Sequence, residues 1–142
     1  MAKSSSPSGS SINVGLLFLR VVAGGTLLLK HGLEKPANFL RMAAHFPNPL
    51  HIGSVPSFAF ALISDFICSM LILVGFGTRW ASLIAFFNIF VAWAFVHHFA
   101  FFGKDPGSAH GEVMVLYLAA MLTLLIAGPG AASIDQILSR KP

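Results

Sequence analysis

Charge is what this chain has least of. Charged residues make up 10% of its 142 residues and hydrophobic residues 56%, whereas an ordinary soluble domain carries roughly 25% charged residues. With a mean hydropathy of +0.79, the sequence is suited to lipid rather than to water. Cysteine is almost as scarce. Cys68 stands alone, which excludes an intramolecular disulfide, any Cys-x-x-Cys pair, and a membrane thiol oxidoreductase working through its own dithiol. Cys68 reads as a small buried apolar residue. Period-two alternation is missing as well, which argues against a barrel. Helices are then the remaining way to keep every backbone group hydrogen-bonded in a bilayer. There is no G-x-S-x-G, no P-loop and no G-x-G-x-x-G. The net charge of +4 and pI near 9.7 come without a basic patch, so they point to lipid boundaries rather than to nucleic acid.

What is present is a set of long apolar runs. Those near 12–31, 56–77, 79–102 and 111–128 are close to the ~20 residues that cross a hydrocarbon core. The expected fold is all-α: an integral membrane bundle of four transmembrane helices, spanning 12–138. It lies between a polar Ser-rich tail at 1–11, which has too little to bury to fold, and a short polar tail at 139–142. The first run is too long for a secretory signal and lacks a small-residue cleavage site, so it reads as the first span. Gly75 and Gly77 mark a tight turn, and Gly128-Pro129-Gly130 stops the last helix. In the one long connection, 32–55, Phe39, Met42, Ala43 and Phe46 recur at helical spacing, predicting a short helix lying in the membrane interface. Pro47, Pro49, Gly53 and Pro56 predict a loop after it.

The charges inside these runs define the candidate site. With a rise of about 1.5 Å per residue, and with residues 31 and 56 taken as level, Arg20 in the first span and Asp65 in the second share a depth. Asn88 in the third span and Thr123 in the fourth lie near it. A charge at the centre of a membrane helix costs on the order of 2.5–3.5 kcal/mol by insertion scales. An Arg20–Asp65 pair would cancel much of that and fix which helix faces which. A pocket separating the two would instead raise the Asp65 pKa and make it a proton carrier. Both readings stand at this stage. Arg20, Gly24 and His31 fall on one stripe, expected to face the interior.

Tracing four spans up and down places all six histidines on one membrane side. His31, Glu34, Lys35, His97, His98, His110 and Glu112 are the candidates for a polar mouth that binds a head group or exchanges protons. His97, Glu112 and Asp65 are the candidates for catalysis. No metal site is expected, because metal-binding helices need i, i+3 or i, i+4 pairs and His31 with Glu34 is the only such His/Glu pair. Adjacent His97 and His98 diverge by about 100°, and nothing specifies a haem. Phenylalanine-rich walls are compatible with a quinone. For orientation, Lys3, Arg79, Arg140 and Lys141 face Lys30, Lys35, Arg41 and Lys104 across the membrane. Snorkelling of Lys30 tips this balance toward cytoplasmic termini.

Taken together, these residues resemble the DoxX family of small four-helix membrane proteins, including its DoxD-like branch. "LLFLRVVAGGTLLLKHGLEK" is similar to the family opening through Arg20, His31, Gly32 and Lys35. "LVGFGTRWAS" is similar to its Gly-x-x-Thr-Arg turn at Thr78 and Arg79. "FVHHFAFF" with "HGE" resembles its third and fourth helices at His97 and Glu112, and "IAGPGAASID" its ending at Gly128, Pro129, Gly130, Ser133 and Asp135. The family usually carries Glu where this chain has Asp65. The resemblance implies a multi-pass protein of the bacterial cytoplasmic membrane, associated with quinone-linked or thiol and sulfur redox chemistry. No redox centre is evident in the sequence, so electrons would come from a bound cofactor or a partner. The alternative is a non-catalytic accessory subunit packed against a larger respiratory or photosynthetic electron-transfer complex. A carrier lacks support, because no pair of broken helices marks a central site.

Overall fold

A computed structural model describes residues 9–101 and 111–139, and every described element is helical. Three helical rods are long and apolar enough to cross a membrane: Gly9–Ala37 of 29 residues, Ser54–Val74 of 21 and Thr78–Val96 of 19. A fourth apolar helix, Gly111–Ala127, has 17. The chain is a multi-pass membrane protein. Its exterior agrees: Phe18, Trp80, Leu116 and Ile126 are each more than two-thirds exposed, which suits side chains that meet lipid.

The first rod comprises α1 (Gly9–Leu27), a π-helical segment (Leu28–Gly32) and α2 (Glu34–Ala37); α3 (Phe39–Ala43) follows. The second comprises α4 (Ser54–Leu62), a π segment (Ile63–Cys68) and α5 (Ser69–Val74). The third comprises α6 (Thr78–Val91) and a π segment (Ala92–Val96); α7 (Gly111–Ala127) and the short α8 (Ile134–Ser139) complete the order. Pro56 sits in the first turn of α4, where its missing N–H costs nothing. Gly75 ends α5 at φ 73°, and its N–H and that of Phe76 close back on Leu71 at 2.9 Å each. That left-handed cap needs glycine.

Small residues set the packing. Ala81, Ser82 and Ala85 form the buried face of α6, while Leu118, Met121 and Leu124 are buried on α7, and Ala81, Ala85 and these three share one core. Small side chains let membrane helices approach closely. The core continues through Leu16, Ala23, Leu27, Cys68, Ile72 and Ile89. The short helix expected in the long connection is present as α3. Its Phe39 and the following Phe46 pack edge-on against the fully buried Phe58 of α4, at 5.3 and 5.1 Å between ring centroids.

The first rod runs past residue 31, where the sequence reading ended it, because nothing between Lys30 and Lys35 breaks a helix. This changes the alignment of the first two rods. A Cβ added to Gly32 would collide with the backbone carbonyl of Asp65, Gly24 faces Ser69 and Ile72, and Arg20 reaches the turn at Gly75. The first rod is therefore displaced by about two and a half turns from the alignment in which 31 and 56 are level.

Candidate functional site

Asp65 sits where three rods meet, 7% exposed. Its Oδ2 accepts an ion pair from Lys35 Nζ at 2.9 Å. Its Oδ1 accepts hydrogen bonds from Asn88 Nδ2 at 3.0 Å and from Ser64 Oγ at 3.2 Å. Lys35 Nζ also donates to the His31 carbonyl. A buried carboxylate is tolerable when an opposite charge and hydrogen bonds replace its water, and here two neighbouring rods supply them. Asn88 thus contacts Asp65 directly.

Arg20 does not. It is 1% exposed and lies beside the turn at Gly75 that ends the second rod, where Nη2 donates to the Ala132 carbonyl. The expected Arg20–Asp65 pair is replaced by Lys35–Asp65, and the cause is the offset of the first rod described above. Thr123 is likewise outside the layer: it is exposed and donates to Ala119 of its own helix at 2.8 Å.

The stripe prediction is corrected in the same region. Arg20, Gly24 and Leu27 are buried, but the next buried positions are Gly32 and Lys35, and His31 is exposed. A π segment adds a residue to the turn, which moves the buried stripe on by one position at Leu28–Gly32. His31 is thereby turned out of the packed seam into open space.

That space is a cleft of about 670 Å³, within the roughly 300–1,000 Å³ of small-molecule sites. His31, Lys35, Asp65 and Asn88 line one part of it, with Glu34 and His97 also on its wall. Phe46, Phe60, Phe87, Leu50, Val91 and Met42 make it apolar elsewhere. A second cavity of about 270 Å³ shares His31, Asp65, Asn88, Ala92 and Met114 with the first. It continues to Lys30, Leu27, Ile89, Val113 and Tyr117. All three π segments contribute to the walls: His31, Asp65 and Ala92 belong to one each. Such bulges widen a turn and are frequent at functional sites.

Of the residues expected at a polar mouth, the structure gathers His31, Glu34, Lys35 and His97 around the larger cleft. His98 is exposed with φ 47° and lines neither cavity. Glu112 is exposed in the first turn of α7 and also lines neither. It is held apart because α7 turns a different face to the cavities, that of Val113, Met114 and Tyr117. His110 lies outside the described residues. The sequence reading missed Lys35 as the partner of Asp65, and with it Tyr117 and Met114. The uninterrupted helical stretch through "HGLEK" was the available signal for Lys35. Among the described residues no three His, Cys, Asp or Glu side chains converge on a metal-sized site.

Residues 15–98, more than half of the chain, match the family model described as DoxX. No curated protein and no solved structure matches the chain.

Proposed function

The chain belongs to the DoxX family, and from that premise we propose that it is a quinone-redox-associated membrane protein whose larger cleft takes the ring and first isoprene units of a membrane quinone. The observation that carries this reading is the cleft itself, apolar and aromatic along its walls and polar where Lys35, Asp65, Asn88 and His31 line it. A quinone is a flat apolar ring with two carbonyl acceptors. Lys35 has three donors, two of them committed to Asp65 and the His31 carbonyl, which leaves one for a ligand. Asn88 spends one N–H on Asp65 and keeps another. Asp65 holds both donors in place. The His31 ring makes no hydrogen bond within the described protein and is free to donate to a ligand or exchange a proton.

Reduction of a quinone takes two electrons and two protons. The single buried Cys68 cannot cycle as a dithiol, so the electrons are supplied by a partner subunit or by a diffusible thiol or sulfur compound. In the same reading, Gly111–Ala127 is the fourth span and α3 lies in the membrane interface. The membrane is the bacterial cytoplasmic one. Lys35 is buried in the bundle and Lys30 lines a cavity, so neither counts as a loop charge. Arg41 and Lys104 then oppose Lys3, Arg79, Arg140 and Lys141, which favours cytoplasmic termini.

The test is purification in native-like lipid, with mass spectrometry of extracted quinones and titration of a short-chain quinone analogue by intrinsic tryptophan fluorescence. Saturable binding that weakens in Asn88→Leu and Phe60→Ala is the expected result. Absence of both retained quinone and saturable quenching overturns it. Stoichiometric recovery with a large electron-transfer complex and no quinone response would favour the accessory-subunit reading instead.

A further inference from the structure

The two cavities meet at a common wall of His31, Asp65 and Asn88, and both are mostly apolar along their walls. The larger, walled by phenylalanine, proline and leucine, has room for an apolar occupant. In the smaller, five of the ten lining residues are polar: Lys30, His31, Asp65, Asn88 and Tyr117. A water needs two to four polar partners, and these five groups can supply them. Lys30 is exposed and also borders this cavity, which gives its ammonium a reason to hold water there. A bare ammonium facing hydrocarbon costs on the order of 2.5–3.5 kcal/mol, whereas one facing water costs nothing. The Tyr117 hydroxyl donates to Thr26 Oγ1 at 2.9 Å, which keeps its oxygen able to accept from water. About 270 Å³ is room for several waters, each occupying about 30 Å³ in the liquid.

We propose that the smaller cavity is a water-filled proton inlet to His31 and Asp65, separate from the route by which an apolar ligand enters the larger cleft. The proposal rests on the quinone reading of that cleft. A ligand filling the larger cleft shuts water out from that side, yet its reduction consumes two protons for every two electrons. The inlet reaches the same side chains past Lys30, Ile89, Val113 and Tyr117, none of which lines the larger cleft, so ligand and protons need not share a path. The titratable groups around Asp65 are His31, Lys35, Glu34 and Lys30 on the first rod and Cys68 on its own. The third rod and α7 add His97 and Tyr117. His31 lines both compartments and is the group placed to pass a proton between them.

The inlet is testable by thiol accessibility in lipid nanodiscs. Cys68→Ala removes the only native thiol. In that background Ile89→Cys and Tyr117→Cys report on the smaller cavity and Phe87→Cys on the larger, since each of these positions lines one cavity and not the other. Ile89 is only 7% exposed, so a charged methanethiosulfonate reaches position 89 through water in the cavity. The expected result is modification at 89 and 117 whether or not a quinone analogue is present, with protection by the analogue at 87. Reaction at 89 and 117 with an uncharged maleimide alone overturns the inlet. Loss of protection at 87, with modification at 89 intact, overturns the quinone reading while supporting the water route. A plugging variant, Val113→Trp, then tests proton delivery. With dithionite donating the two electrons to bound analogue, reduction should slow by about a hundredfold, the low end of what positioned proton transfer contributes, with analogue affinity unchanged. An unchanged rate overturns the role in proton delivery.

Discussion

The end of the second rod, at Gly75, and its middle, at Asp65, hold their charges in opposite ways. Near Gly75, Arg20 donates to the Ala132 carbonyl, while the carboxylate of Asp135 accepts from the backbone N–H groups of Gly77 at 2.7 Å and Thr78 at 3.1 Å. Asp135 thereby caps the N-terminus of α6, where a carboxylate is favoured by the unpaired N–H groups and the helix dipole. Its own N–H closes on the Gly75 carbonyl at 2.9 Å. Asn13 binds the Ala131 N–H at 2.8 Å on the same side. Backbone surrounds these groups, and neither cavity touches them. At the level of Asp65 the charges form an ion pair, but they border open volume, and the helices around them are π-bulged. One cluster ties chain segments together. The other holds side chains at the edge of a space.

The comparison predicts that substitutions at the two levels separate stability from ligand binding. The largest expected effect is Lys35→Met, which leaves Asp65 buried without its cation. Loss of one partner of a buried pair costs about 3–5 kcal/mol, read as a drop in thermal stability in detergent, and analogue binding should disappear with it. The double variant Lys35→Met, Asp65→Leu should regain much of the stability and none of the binding. A double variant as unstable as the single would show that the pair does more than neutralise a charge. Exchanging Arg20 and Asp65 should recover nothing, since the two do not meet.

Gly32→Val comes next. Its new side chain meets the Asp65 backbone, and overpacking of this kind costs about 1–3 kcal/mol. The rods should separate at this level, so both melting temperature and analogue affinity should fall. A variant with normal affinity would show that the cleft tolerates displacement of the first rod.

Asp135→Asn sharpens the contrast from the Gly75 end. Hydrogen bonds to a charged group contribute about 1.5–3 kcal/mol, so stability should fall by an amount in that range while quinone-analogue affinity stays unchanged. A fall in affinity would couple the two levels. The smallest effect is expected for Glu112→Gln, an exposed change outside both cavities that should stay within about 0.5 kcal/mol in stability and leave binding intact.

The helical membrane architecture was legible because it rests on composition and run length, which local sequence carries directly. Asp65 and Asn88 stood out in the sequence because a polar group in an apolar run has to be satisfied. The identity of the cation was not legible. Depth matching assumed that the first rod ends at His31, and the rod instead carries Glu34 and Lys35 along with it to Ala37. Nor did an ideal helical period reveal which way His31 points. A π segment has no strong residue signature, and one additional residue in a turn is enough to exchange His31 for Gly32 in the packed seam. His97 and Glu112 were joined by sequence side alone, and only the fold separates the residue bordering the cleft from the one on the outer face.

The three π segments also bear on how such a protein could be altered. In a bundle of plain α-helices, taking out one residue rotates everything beyond it and scrambles the packed faces. Here a single-residue deletion within Leu28–Gly32, Ile63–Cys68 or Ala92–Val96 would relax a wide turn into an ordinary one. Each deletion removes a local expansion of the wall, so the volume of the cleft is adjustable by length changes as well as by side-chain replacement. Relatives with ligands of different bulk should differ at these three places by gaps in the alignment.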